Sequence, residues 1–300
     1  MSPESRASWQ IHFCVVLWGF TAIFGKLISL GTLSLVWWRM LLVAGALALV
    51  PRFWRGLSHM PPRLIAIYAG TGMIVAMHWL AFYGSVRLAN ASVAATCLAL
   101  TPVFIAFIEP FVAARRFNPR EVLFGLAAIP GVMLVVGGTP TEMRVGIAVG
   151  VFGSLLVAIF ASLNKRFIGT SDALTVTGLE MSAGLLLVSI GAPLLSSDAV
   201  FVLPSIRDAI FLTLLAGGCT LLPFALSLAA LRHVTAFSAT IALNMEPVYA
   251  IVLAIVLLGE QRELSPSFYL GVAIVLAAVF LHRAPSVAAA TGLRDPDRSG

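Results

Sequence analysis

Long apolar runs separated by short polar breaks constrain this chain more than any motif does. A run of about 17 to 25 apolar residues, wound as a helix, matches the hydrocarbon thickness of a bilayer. Such runs fall at 9–28, 33–50, 64–86, 91–113, 121–138, 145–164, 172–192, 207–230, 235–258 and 267–282. They predict an all-α integral membrane protein with ten transmembrane helices. Composition agrees, because 60% of the 300 residues are hydrophobic and only 11% are charged, too few charges to cover a water-soluble domain of this size. The first run, after MSPESRAS, is longer than a signal-peptide core and is expected to stay as a membrane helix. The polar, proline-bearing tail at 284–300 is expected to be disordered and cytoplasmic.

Basic residues orient the runs. Arg52, Arg55 and Arg63, then Arg115, Arg116 and Arg120, then Lys165 and Arg166, collect in alternate connections, while the connections between them hold single arginines such as Arg87, Arg144, Arg207 and Arg262. Under the positive-inside rule both termini face the cytoplasm. The net charge of +6 therefore reports topology, and no basic face interleaved with aromatics points to nucleic acid. Lys26 and Arg39 lie within runs, toward the outer ends of the first two, where snorkelling is expected. Cys14, Cys97 and Cys219 are far apart inside apolar runs, so they read as small buried residues and neither a disulfide framework nor a metal site is expected.

The chain also repeats itself. ALTPVFIAF at 99–107 and NMEPVYAIV at 244–252 share Pro-Val-aromatic, with Pro102 and Pro247 145 residues apart in the fourth run of each half. Lys26 echoes Lys165, and Arg39-Met40 echoes Glu180-Met181. These echoes predict two five-helix repeats, 1–140 and 141–283, and an odd number of spans per repeat makes them inverted. In that architecture a substrate site lies near the midplane beside broken helices. Pro102 and Pro247 are expected to break their helices there, freeing the carbonyls of Leu98 and Leu243.

Several side chains are candidates for such a site. Trp9, Trp37, Trp38 and Trp54 fall at run ends, as interfacial tryptophans do, but Trp18 lies about 14 Å deeper than Trp9. Thr71, Val75, His78, Trp79 and Phe82 form one stripe at helical spacing, mixing apolar surface with groups that want polar partners. In the ninth run Ala236, Thr240, Asn244 and Pro247 share a face, and Glu246 points elsewhere. The expected substrate-binding set is Trp18, His78, Trp79, Phe82, Thr101 and Asn244, with Pro102, Glu246 and Pro247 as helix-breaking or coupling residues. Glu246 is expected either to pair with a neighbouring helix or to carry a proton, and Glu109 to be a snorkelling or salt-bridged structural acid. Gly146, Gly150 and Gly153 are expected to allow close helix contact.

LWGFTAIFGK at 17–26, WWRMLL at 37–42 and EPVYAIVLAIVLLGE at 246–260, set in ten runs with an internal repeat, resemble the drug/metabolite transporter superfamily, EamA type. Within it the overall similarity is greatest to YddG-type aromatic amino acid exporters. The resemblance implies export of amino acids or related metabolites across a bacterial inner membrane, by alternating access through a cavity between the halves. It implies no cofactor, and a monomer in the lipid bilayer is the expected unit. One departure stands out: the ninth run ends in Gly259-Glu260, whereas the matching end of the fourth reads AARR. All six tryptophans also lie in the first half, which predicts a lopsided cavity wall. A broad-specificity drug or cation exporter remains the alternative, then a channel or lipid scramblase. An enzyme is not expected, since His-Glu-x-x-His and Gly-x-Ser-x-Gly are missing and GFTAIFGKL at 19–27 is one residue too long for a phosphate loop.

Overall fold

The computed structural model describes residues 3–112, 123, 127–167, 171–195, 201–230 and 245–283. Its helices are α1 (Pro3–Leu27), α2 (Thr32–Ala48), α3 (Pro51–Ser58), α4 (Pro62–Leu88), α5 (Ala91–Leu98), α6 (Thr101–Val112), α7 (Ile129–Gly137), α8 (Arg144–Phe167), α9 (Ala173–Leu195), α10 (Ile206–Thr213), α11 (Leu222–Ala230), α12 (Glu246–Leu253) and α13 (Pro266–Arg283). No strand occurs among the described residues. Among the described residues six spans are long and apolar enough to cross a membrane, or seven if α2 and α3, which meet at a bend of 85°, form one. Two further apolar segments, Glu246–Leu258 and Pro266–Ala278, are shorter. The expected runs 121–138 and 235–258 lie partly outside the described residues, as do Ala236, Thr240, Leu243, Asn244 and the tail at 284–300.

Proline and glycine explain the breaks. Pro51 stands in the first turn of α3, where its missing N–H costs nothing, and turns the chain out of α2 into a short helix carrying Arg52, Trp54 and Arg55. Between α10 and α11 the backbone widens to a π-helix over Leu214–Leu221. Gly217 and Gly218 weaken the α-turn there, and Pro223 withholds the next N–H. A second π stretch, Ala254–Leu258, ends at Gly259, whose φ of 72° is the left-handed conformation that glycine tolerates.

Helix α4 runs between α8 and α9, and α1 lies along α11 and α12. Missing side chains permit these contacts. A Cβ at Gly150 would sit 2.7 Å from Ser85 Oγ and 2.8 Å from Cys97 Sγ, and one at Gly146 would sit 2.8 Å from the Ala89 nitrogen. Gly131 of α7 and Gly271 of α13 meet backbone to backbone, a Cβ on either falling within 2.8 Å of the other's carbonyl oxygen. Large apolar side chains such as Phe111, Leu194 and Ile206 point outward, as a lipid-facing surface requires.

Polar links close one end of the bundle. There Asp208 accepts the Ser29 N–H at 2.8 Å and its hydroxyl at 2.6 Å. Arg87 donates to the carbonyls of Ile28 and Leu30. Glu260, only 1% exposed, accepts the N–H groups of Ala91 at 2.9 Å and Ser92 at 2.8 Å, and Asn90 takes that of Val93 at 2.9 Å. Three N–H groups opening α5, which no turn of helix can satisfy, are thus all met. At the opposite end Lys165 pairs with Glu109, the structural ion pair expected of that acid, and Arg52 pairs with Asp172 at 2.7 Å.

Candidate functional site

A cavity of about 610 Å³ opens inside the bundle, within the range of small-molecule sites. Both halves of the chain line it. From the first come Trp18 and Thr21 of α1, Arg39 of α2, Val75, His78, Trp79 and Phe82 of α4, and Leu98 to Ile105 around the α5–α6 joint. From the second come Val157, Phe160 and Asn164 of α8, Ala173 to Met181 of α9, Cys219 to Phe224 beside the π-helix, Glu246 and Pro247 of α12, and Leu276 of α13. Asn164, Ala173 and Thr177 belong to the end opposite the polar links, so the cavity extends toward that end.

The stripe on α4 brings Val75, His78, Trp79 and Phe82 to the wall together. Thr71, one turn earlier, does not join them: its hydroxyl donates to the Ile67 carbonyl at 2.9 Å and it is 1% exposed, so its own helix satisfies it. His78 Nδ1–H donates to the Gly153 carbonyl of α8 at 3.0 Å, and its ring lies between Phe82 and Phe160. Trp18 is half-buried and packs against the cluster of Ala7, Ile11, Val15 and Ala230, which Met245 and Tyr249 also flank.

Both repeat-related prolines line this cavity, each in the first turn of a helix rather than inside one. For Pro102 the interruption lies just before it, at Ala99 and Leu100. The carbonyl supported from outside is that of Cys97, one residue earlier than expected, which accepts the Leu100 N–H at 3.0 Å and the Ser154 hydroxyl at 2.5 Å. A proline in a first turn forfeits no bond, so the cost falls on the joint instead. Thr101, on the cavity wall, has a hydroxyl with no partner.

Arg39 corrects the snorkelling expectation. It is 4% exposed and lies in the cavity wall, its guanidinium 3.7 Å from the centroid of the Trp79 ring. Nη1 donates to Tyr83 OH at 2.6 Å, while Nη2 and Nε donate to Thr220 Oγ1 at 2.9 and 3.3 Å. Thr220 in turn donates to Leu215 O five residues back, so the π-helix sets its position. A Cβ at Gly25 would sit 2.6 Å from the Tyr83 ring, and its absence leaves room for that tyrosine.

Glu180 and Glu246 also face the cavity, and Glu180 Oε1 and Asn164 Oδ1 have no hydrogen-bond partner. Glu246 makes no salt bridge among the described residues, but it interacts electrostatically with Arg39 of the neighbouring α2. The residues missed from sequence are Arg39, Asn164, Thr220, Phe160 and Phe224. The signal for the first was present: a charged residue within a membrane run is a functional candidate by default, and Arg39-Met40 echoes Glu180-Met181, both arginine and glutamate now lying on one wall.

An all-helical bundle of bilayer-length apolar spans, enclosing a mixed apolar and polar cavity between the halves of its chain, belongs to the class of membrane carriers for small solutes. The chain belongs to the EamA-like transporter family, which it matches twice, over residues 8–137 and 144–283. Two family repeats are thus present, and the cavity lies between them. A crystallographically solved protein, described only as such, superposes with a TM-score of 0.60 over 93% of this chain and 98% of its own, at 16% identity, and so shares the fold. No curated protein matches the sequence.

Proposed function

We propose that the protein is a secondary transporter exporting amino acids, aromatic and other apolar ones foremost, by alternating access across a bacterial inner membrane. The observation that carries this reading is the cavity itself. It offers Trp18, Trp79 and Phe82 as a resting place for a large apolar side chain, with Arg39, Glu180, Glu246 and Thr101 in the same wall for charged backbone groups. The two family repeats fit ten spans arranged as inverted five-helix units, 1–140 and 141–283, with both termini cytoplasmic. With that orientation the polar links of Asp208, Arg87 and Glu260 close the outer side and the cavity faces the cytoplasm.

Counterflow in proteoliposomes tests the reading. Labelled aromatic amino acids should accumulate when unlabelled amino acid is loaded inside, and a panel of cationic drugs should not replace them. A drug exporter would show the reverse preference. A channel or scramblase would show no trans-stimulation by either.

A further inference from the structure

We propose that Arg39 is the anchor for the carboxylate of the transported solute, so that a free carboxylate is what the cavity selects for. This rests on the amino acid export reading and narrows it.

A buried cation is costly unless an anion or a full set of acceptors meets it. Arg39 has neither. Its acceptors are two neutral hydroxyls, Tyr83 and Thr220, and a ring, that of Trp79. A guanidinium carries five N–H donors, and these hydroxyls take three of them. The two left over, one on each Nη, belong to a side chain in the cavity wall, and no carboxylate of a described residue pairs with it.

Apart from its electrostatic attraction to Glu246, the environment positions the group more than it neutralises it. Trp79 covers one face of the guanidinium plane, and the π-helix holds Thr220 against its edge. A planar donor fork held in this way matches a carboxylate. Complementary acceptors stand elsewhere on the same wall, where Thr101 Oγ1, Asn164 Oδ1 and Glu180 Oε1 have no partner. They suit an ammonium group. Arg39 and Glu180 occupy echoing positions of the two repeats, so the duplicated site offers one cation and one anion.

The test is counterflow of labelled phenylalanine against three unlabelled competitors: phenylalanine, phenylalaninol, which lacks the carboxylate, and 3-phenylpropionate, which lacks the ammonium. In the wild type, phenylalanine and, more weakly, 3-phenylpropionate should compete, and phenylalaninol should not. Arg39→Gln should raise the half-saturation concentration for phenylalanine by about tenfold or more and erase its advantage over phenylalaninol, as expected when one partner of a desolvated charge pair is removed. Arg39→Lys should retain part of that advantage, having the charge without the fork. Should Arg39→Gln fail to fold, Thr220→Ala gives a milder loss, expected to raise KM with little change in maximal rate and to be rescued by Thr220→Ser.

Equal competition by phenylalanine and phenylalaninol in the wild type overturns the anchor while leaving amino acid export intact. So does an unchanged half-saturation in Arg39→Gln. If, in a parallel arm, labelled 3-phenylpropionate undergoes counterflow and labelled phenylalanine does not, export of amino acids falls and the carboxylate anchor stands.

Discussion

His78 and Trp79 adjoin in sequence and face the same cavity, yet they are held differently. His78 is fixed by its bond to the Gly153 carbonyl across the α4–α8 contact. Trp79 is fixed by stacking on Arg39. His78→Ala removes the bond that this carbonyl accepts in addition to its helical one, at about 0.5–1.5 kcal/mol, and removes a ring beside Phe82 and Phe160. We expect a lower melting temperature in detergent together with altered substrate preference in counterflow. A change in melting temperature alone would confine His78 to helix packing. Glu246 is a different case: it faces the cavity with no ion pair of its own among the described residues. If it carries the coupling proton, Glu246→Gln should lose the response of transport to an imposed pH gradient while still exchanging substrate at equal pH. A mutant that keeps its gradient response removes Glu246 from coupling.

How well each helix could be read from sequence followed from how local its physics is. The α4 stripe was legible because helical spacing alone decides which residues share a face. The paired prolines marked the interruptions for a similar reason, although the joint lies before Pro102 and not at it. Arg39 was misjudged because distance from a run's end gives depth and says nothing of which neighbour the side chain meets; Trp79 and Thr220 are 40 and 181 residues away. Thr220 was missed because a π-helix rephases the turn, so its position could not be counted from α-helical spacing. Glu260 was noticed as half of the Gly-Glu ending, but its partner is the start of α5, and only the folded chain joins them. Glu260→Gln replaces one charge-assisted acceptor with a donor facing an N–H, so a loss of about 1.5–3 kcal/mol is expected, read as a lower melting temperature. The α7–α13 contact should be equally sensitive. Gly131→Val adds side-chain atoms where the Gly271 carbonyl already stands 2.8 Å from the Cβ position, and overpacking of this kind costs about 1–3 kcal/mol. A thermal melt of the purified variant checks it.

The bundle is asymmetric along its axis, and transport by alternating access requires that this asymmetry reverse. Two of the links that close one end join the two family repeats: Ser29 belongs to the first and Asp208 to the second, while Ala91 and Ser92 of the first meet Glu260 of the second. None of these residues lines the cavity, so weakening a link leaves the cavity wall unchanged. Each of these two is a carboxylate on N–H or hydroxyl groups and not an apolar seam, and such bonds can be exchanged for water at a net cost of about 0.5–3 kcal/mol each. Holding the end shut should therefore stop transport without unfolding anything. With Cys14, Cys97 and Cys219, all buried, replaced by alanine, cysteines at 29 and 208 can be joined by a short thiol cross-linker. Counterflow should cease on cross-linking and return when a reducible linker is cleaved, while substrate still protects against thermal unfolding in both states. Undiminished counterflow with the link complete would mean that this end never parts, and solute would then have to pass by a route other than an alternately opened cavity.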